Sequence, residues 1–183
     1  MISLTATQAR TLEAIVNLFE TGQVLGDYGQ VTVLAGDTGH LTFGRSQTTL
    51  GSGNLHTLLE RYCSNAGARF GSRLAPFLPP LEARDTVLDG HSRLHNLLRA
   101  TADDPVMRDV QDQFFTDVYF GPAIRTAERQ GIVLPLGMAV VYDSFVHGSC
   151  ARIRDRVQGT PATRGEKRGA LNCRSSFAAL KCR

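Results

Sequence analysis

Residues 20–54 read ETGQVLGDYGQVTVLAGDTGHLTFGRSQTTLGSGN, and the rest of the chain is organised around them. Upstream, Thr5 and Gln8 form a capping box, and Leu12, Ile15, Val16 and Phe19 follow at helical spacing. That pattern predicts a helix ending on Glu20, with Gly22 closing it. Val31 to Leu34 and His40 to Gly44 are β-rich runs flanking AGDTG, which predicts a hairpin with Asp37 in its turn. Downstream, TTLGSGN is a glycine-containing loop that delivers Asn54 as the N-cap of a helix with the apolar stripe Leu55, Leu58, Leu59 and Tyr62.

Two carboxylates from different elements, with a strand pair to position them, are the minimum parts for acid/base hydrolysis of a glycosidic bond. A glutamate at the edge of an apolar stripe is partly desolvated, which favours its protonated form and suits a general acid. The same residue also reads as a solvated last-turn glutamate. Aspartate before Thr-Gly is ordinary turn chemistry, so Asp37 also reads as structural. Thr42 and Arg45 fall on the second strand or its exit, where β-rich strands carry such residues without function. Capping is the default role for Asn54, and GSG alone does not signal phosphate binding.

The outer segments read as helices that hold this unit and wall a cleft. Residues 66–92 are punctuated by Pro76, Pro79, Pro80 and Gly90, which reads as a link between two lobes. His91 and His95 lie four apart on a helix, but without an HExxH-type carboxylate they read as a surface pair rather than a metal site. Asp104-Pro105 opens a helix to about Phe120 with Val106, Val110, Phe114 and Val118 inward, and Pro122 opens another that stops near Gly131. Leu134 to His147 is almost wholly apolar, which predicts a buried helix ending at Gly148. Its exception, Asp143, calls for a partner, such as an arginine of RIRDR at 152–156.

Composition bounds the function class. At 183 residues, 42% apolar and 20% charged, the chain is one domain of ordinary globular make-up, with room for two lobes. No apolar run is long enough for a membrane helix, and MISLTATQARTLEA has neither the basic nor the apolar region of a secretory signal. The formal charge of +3 comes from the tail, where Arg164, Lys167, Arg168, Arg174, Lys181 and Arg183 face the single acid Glu166. The body before it is mildly acidic, which argues against nucleic acid as a partner. Cys63, Cys150, Cys173 and Cys182 form no CxxC pair, so zinc and thioredoxin-type chemistry are not indicated. Free thiols and a Cys173–Cys182 bridge are both compatible with the spacing.

The order Glu20 … Asp37-Thr-Gly-His-Leu-Thr42-Phe-Gly resembles the active-site unit of the family 46 glycoside hydrolases, the chitosanases. TTLGSGNL at 48–55, DPVMRDVQDQFF at 104–115, VYFGPAIRTA at 118–127 and LGMAVVYDSFVHGS at 136–149 extend the resemblance in the family's order. It implies an α+β, mainly α-helical, lysozyme-like two-lobed domain over residues 1–168, with a small β-hairpin sheet at the cleft and an atypical basic tail at 169–183. It implies endo-hydrolysis of β-1,4-linked glucosamine polymers by inversion, with no cofactor or metal, in a monomer acting outside the cell or in its envelope. Carried over by position, Glu20 is the general acid, Asp37 the general base and Thr42 the threonine that positions the water. Asp143 matches an aspartate of an internal charge network, while Arg45 lies beside the site as a candidate substrate-binding residue that could instead pair with a carboxylate, without a family role assigned to it. Asn54 stands where chitosanases place an acidic residue that meets a glucosamine ammonium group, which keeps a peptidoglycan muramidase as an alternative. The family continues beyond GEKR with further helices, whereas this tail reads as a frameshift or truncation product. A wall-polysaccharide-binding module without hydrolytic activity is the third reading.

Overall fold

A capping box opens the first helix. The Thr5 hydroxyl accepts from the Gln8 N–H at 3.2 Å while the Gln8 side chain accepts from the Thr5 N–H at 2.9 Å. Helix α1 runs Ala6–Thr21 and stops at Gly22, whose φ of 72° is the left-handed conformation that ends helices. The structure, a computed structural model, describes residues 4–45 and 47–146, with Glu20 and Thr21 described in their backbone only.

The chain is mainly helical with a small antiparallel sheet, as expected. Strands β1 (Val31–Thr32), β2 (Thr42–Phe43) and β3 (Thr48–Thr49) form a sheet in the order β1-β2-β3. The register pairs Thr32 with Thr42 and Thr42 with Thr49. The predicted hairpin is therefore present with shorter strands, and β3 is an addition that the TTLGSGN loop reading did not include. Helices α2 (Asn54–Cys63), α3 (Gly71–Leu74), α4 (Leu78–Glu82), α5 (Ser92–Ala100), α6 (Pro105–Phe115), α7 (Gly121–Arg129) and α8 (Pro135–Val146) follow.

These elements fall into two compact units. Residues 25–115 make one, holding the sheet and α2 to α6. The predicted stripe of α2 is buried in full, and Leu41, Phe43 and Leu50 from the sheet region are buried within the same unit. Residues 66–92, read from their prolines as a link between lobes, belong wholly to this unit. The prolines sit at the starts of short helical turns, where the missing N–H costs nothing, so they punctuate packed structure. The other unit joins residues 4–24 to residues 116–146, and in it α8 packs against α1 and α7. Leu12, Val16, Ala127, Met138 and Tyr142 are buried there, with Phe120 edge-on to Tyr142 at 5.3 Å.

Two boundaries depart from expectation. Helix α6 ends at Phe115 and continues as a π-helical turn over Thr116–Phe120, which shifts the buried set to Met107, Val110, Gln111, Phe114 and Phe115. Val106 and Val118 are only half-buried. Asn54 is the first residue inside α2; the cap position is Gly53, left-handed at φ 81° and without a side-chain cap. Helix α8 exposes Leu136 even though Asp143 is buried. The predicted end at Gly148, the RIRDR partner of Asp143, the basic tail and a Cys173–Cys182 bridge lie outside the described residues.

A buried polar hub fastens the helices of the sheet-bearing unit. The Asp104 carboxylate accepts from the Tyr62 hydroxyl at 2.5 Å, the Arg69 N–H at 2.9 Å and the Val106 N–H at 3.1 Å. Tyr62 in turn accepts from the Phe70 N–H at 3.0 Å. One carboxylate thus ties α2, the 65–70 turn and the start of α6. Burial alone would raise the Asp104 carboxyl, but these donors outweigh it and hold it below its ordinary value. Burial, then the bond to Asp104, pushes the Tyr62 phenol up, so it stays a donor.

A depressed carboxyl stabilises the fold above its unfolded value near 4 and loses that contribution as pH falls through its folded value. Asp104→Asn is expected to lower stability by about 2 kcal/mol at neutral pH. Denaturant melts at pH 7 and pH 3 check this, since the gap to wild type should narrow in acid; an equal gap at both would contradict it.

Candidate functional site

The candidate acid sits at the end of α1. Glu20 is the penultimate residue of that helix. The Gly22 N–H donates to the Leu18 carbonyl at 3.0 Å, and buried Asn17 donates from its amide to the Val24 carbonyl at 3.3 Å. The helix end and the chain leaving it are therefore held at two points. Phe19, expected to close the apolar stripe beside Glu20, is 56% exposed. The stripe buries Leu12 and Val16, with Asn17 on the same side near its end. Phe19 therefore supplies no buried apolar edge at this end of α1.

The candidate base sits in the other unit, in the turn between β1 and β2. Asp37 is exposed. Its backbone N–H donates to the Leu34 carbonyl at 3.2 Å, and its Oδ1 accepts from the Gly39 N–H at 3.1 Å. That second bond is the side-chain-to-backbone turn expected of Asp in this setting. His40 follows at φ 57°, a left-handed conformation that costs a non-glycine residue about 1 kcal/mol. The imidazole Nδ1 lies 2.8 Å from Oδ2 of Asp89, whose Oδ1 accepts from the Leu41 N–H at 2.8 Å. From the other side the Gly51 N–H donates to the Gly39 carbonyl at 3.0 Å. A Cβ on Gly51 would collide with the Thr38 carbonyl, so only glycine admits this close approach.

Thr42 lies on the central strand and is 8% exposed. Its hydroxyl donates to the His40 carbonyl at 3.1 Å. With the proton committed, the oxygen keeps lone pairs to accept from a donor such as water. Asn54, in the first turn of α2, is half-buried, and its N–H donates to the Ser52 hydroxyl at 3.2 Å.

Of the two readings of Arg45, substrate contact and carboxylate pairing, the side chain makes the second. Its side chain is 9% exposed and pairs with Asp112 of α6. The guanidinium lies over the Tyr28 ring at 5.7 Å and the Phe115 ring at 5.0 Å. Tyr28 donates to Asp112 at 2.8 Å, and burial, then that bond, raises its phenol. Gln111 completes the joint: its amide oxygen accepts from the Arg45 N–H at 3.0 Å and its amide nitrogen donates to the Tyr28 carbonyl at 2.9 Å. Gly44, at φ 79°, leaves room for the Gln111 side chain. The strand exit is thereby pinned to α6.

The histidines of the 88–95 segment are engaged separately. His91 accepts from the Leu94 N–H at 3.2 Å and meets Phe77 edge-on at 5.0 Å, while His95 Nε2 lies 3.0 Å from the Leu88 carbonyl. Asp143 is 7% exposed in α8. Sequence reasoning missed Asp89 and Gln111. Asp89 lies in none of the quoted blocks, Gln111 lies in DPVMRDVQDQFF without being singled out there, and each reaches the sheet region across more than forty residues of chain.

The comparisons with known proteins agree with this architecture. The model of glycosyl hydrolase family 46 matches residues 14–169. A chitosanase from Bacillus subtilis (strain 168) is 29% identical over 153 residues, covering 79% of this chain and 53% of that protein. The chain thus spans about half the length of that relative. Among solved structures, a Gynuella sunshinyii GH46 chitosanase in complex with chitotetraose superposes with a TM-score of 0.79 at 27% identity, over 97% of this chain and 78% of that one. A mutant chitosanase from Bacillus subtilis MY002, complexed with 6 GlcN, gives a TM-score of 0.73 at 25% identity, over 85% of this chain and 67% of that one.

Arg45→Ala is expected to lower stability by about 1–3 kcal/mol, because it strips the joint between sheet and α6 while Asp112 remains half-exposed to water. Arg45→Lys should recover part of the loss, lacking the planar fork. Urea unfolding of the two variants checks this; wild-type midpoints for both would contradict it.

Proposed function

The chain belongs to glycosyl hydrolase family 46, and from that premise we propose that it cleaves internal β-1,4 linkages of glucosamine polymers by an inverting single displacement. Glu20 donates its proton to the leaving glycosidic oxygen. Asp37 takes a proton from a water that attacks the anomeric carbon from the opposite face of the sugar. The bond to the leaving oxygen breaks as the bond to water forms, so the configuration inverts. Such a displacement requires the two carboxyl groups roughly 6.5–9.5 Å apart, with the water between Asp37 and the sugar.

The observation that carries this reading is the family match across residues 14–169, which spans the whole Glu20 … Asp37 … Thr42 order. The held turn around Asp37 supports it, since a general base gains from fixed geometry. Thr42, with its proton given to the His40 carbonyl, is suited to accept a hydrogen bond from the attacking water and orient it. Arg45 acts by holding the strand exit, Asn54 accepts a hydrogen bond from a substrate amino or hydroxyl group, and Asp143 belongs to a structural charge network. The reaction as written needs no metal or organic cofactor, its polymeric substrate calls for action outside the cell or in its envelope, and the proposed enzyme acts as a monomer. Muramidase action on peptidoglycan is the second reading, favoured by Asn54, whose amide lacks the charge that attracts an ammonium group.

Reducing-end release from soluble chitosan and from purified peptidoglycan, measured in parallel, separates these readings. Wild type should act on chitosan, while Glu20→Gln and Asp37→Asn should each lose on the order of a hundredfold or more with unchanged melts. Either variant at wild-type rate overturns the catalytic assignment. Release from peptidoglycan alone selects the muramidase, and retention on chitosan without new reducing ends selects a binding module.

A further inference from the structure

The turn that carries Asp37 is held by a residue from a distant part of the chain, and that grip has a consequence for turnover. Asp89 lies in the 3-10 turn Thr86–Gly90. That turn is itself fixed. The Asp85 side chain accepts from the Val87 N–H at 3.0 Å, Leu88 is buried, and the Leu88 carbonyl meets both the His91 N–H at 3.1 Å and the His95 ring at 3.0 Å. From this shelf the carboxylate spans two successive residues of the Asp37 turn, the His40 imidazole with one oxygen and the Leu41 N–H with the other. His40 is also bonded back to Asp37, its N–H donating to the Asp37 carbonyl at 3.3 Å. Leu41 is fully buried, so the turn is anchored on the protein side while Asp37 stays exposed.

We propose that Asp89, acting through His40, is a positioning residue that fixes the aspartate turn in the geometry turnover requires. The proposal rests on Asp37 as the general base. His40 in a left-handed conformation is a choice that glycine would fill without strain. Here the imidazole provides what glycine does not, a second bond to Asp89. Asp89 touches the turn and has no need of contact with substrate, so its loss should act on the rate of the bound complex rather than on binding. A displacement of about an ångström at a reacting group is enough to cost one to two orders of magnitude.

The test is a set of steady-state measurements on soluble chitosan, with a melt for every variant. Asp89→Ala should lower kcat roughly tenfold or more with KM within about twofold of wild type. Asp89→Asn should recover most of that loss, because its amide oxygen still accepts from the Leu41 N–H and its amide nitrogen donates to an imidazole lone pair. His40→Gly, unstrained at that φ, removes only the imidazole arm and should lower kcat by a smaller factor; it decides the matter if Asp89→Ala does not fold. Wild-type kcat in a folded Asp89→Ala overturns the proposal, as does a loss carried by KM; where Asp89→Ala does not fold, wild-type kcat in His40→Gly overturns it. Asp37→Asn runs alongside: if it keeps wild-type turnover, the base assignment has failed, whereas its collapse beside an unaffected Asp89→Ala removes the positioning role alone.

Discussion

Three strands of two residues each make too small a ladder to fix the turn between the first two. That constraint explains much of the sheet-bearing unit. The sheet is held at the two ends of its central strand by side chains from helical segments, each reaching a backbone N–H. Asp89 grips the entry to β2 at Leu41, and Gln111 grips its exit at Arg45. Between them Leu41 and Phe43 are buried, so the short strand is pinned at both ends and packed in the middle.

The anchors themselves need a rigid frame. Gln111 and Asp112 belong to α6, whose start is capped by Asp104, and Asp104 also holds Tyr62 of α2 and the backbone of Arg69. A carboxylate, a phenol and backbone amides buried together are costly when incomplete and stiff when satisfied. The path from the core to the sheet's exit thus runs from Asp104 along α6 to Gln111 and Asp112, then to Arg45. Arg45 adds a cation that lies over the rings of Tyr28 and Phe115, a contact whose planar guanidinium lysine would not reproduce.

Much of this was legible in the chain. The capping box at Thr5 and Gln8, the stop at Gly22, the aspartate turn, the apolar stripe of α2 and the Asp104-Pro105 helix start are local signals and appear where the sequence places them. What escaped was non-local. Nothing near Asp89 or Gln111 marks it as a partner of a strand more than forty residues away. Phe19 sits at helical spacing with buried Leu12 and Val16 yet is exposed, because periodicity gives a face but not its depth. Residues 66–92 looked like a linker because prolines mark loops and the first turns of helices alike, and here they mark the turns. Asn54 fell one place inside its helix because Gly53 took the cap with backbone geometry alone. The fold class and the order Glu20, Asp37, Thr42 came from motif resemblance rather than from any one residue, since each of the three has an ordinary structural reading.

The claim most exposed to contradiction is that Asp37 activates a water for direct displacement. Proton NMR of the anomeric region during hydrolysis of a β-1,4-linked glucosamine oligomer tests it, read before mutarotation equilibrates the products. The account predicts that the α-anomer appears first. First appearance of the β-anomer would show retention, and with it a covalent intermediate that gives Asp37 a different role.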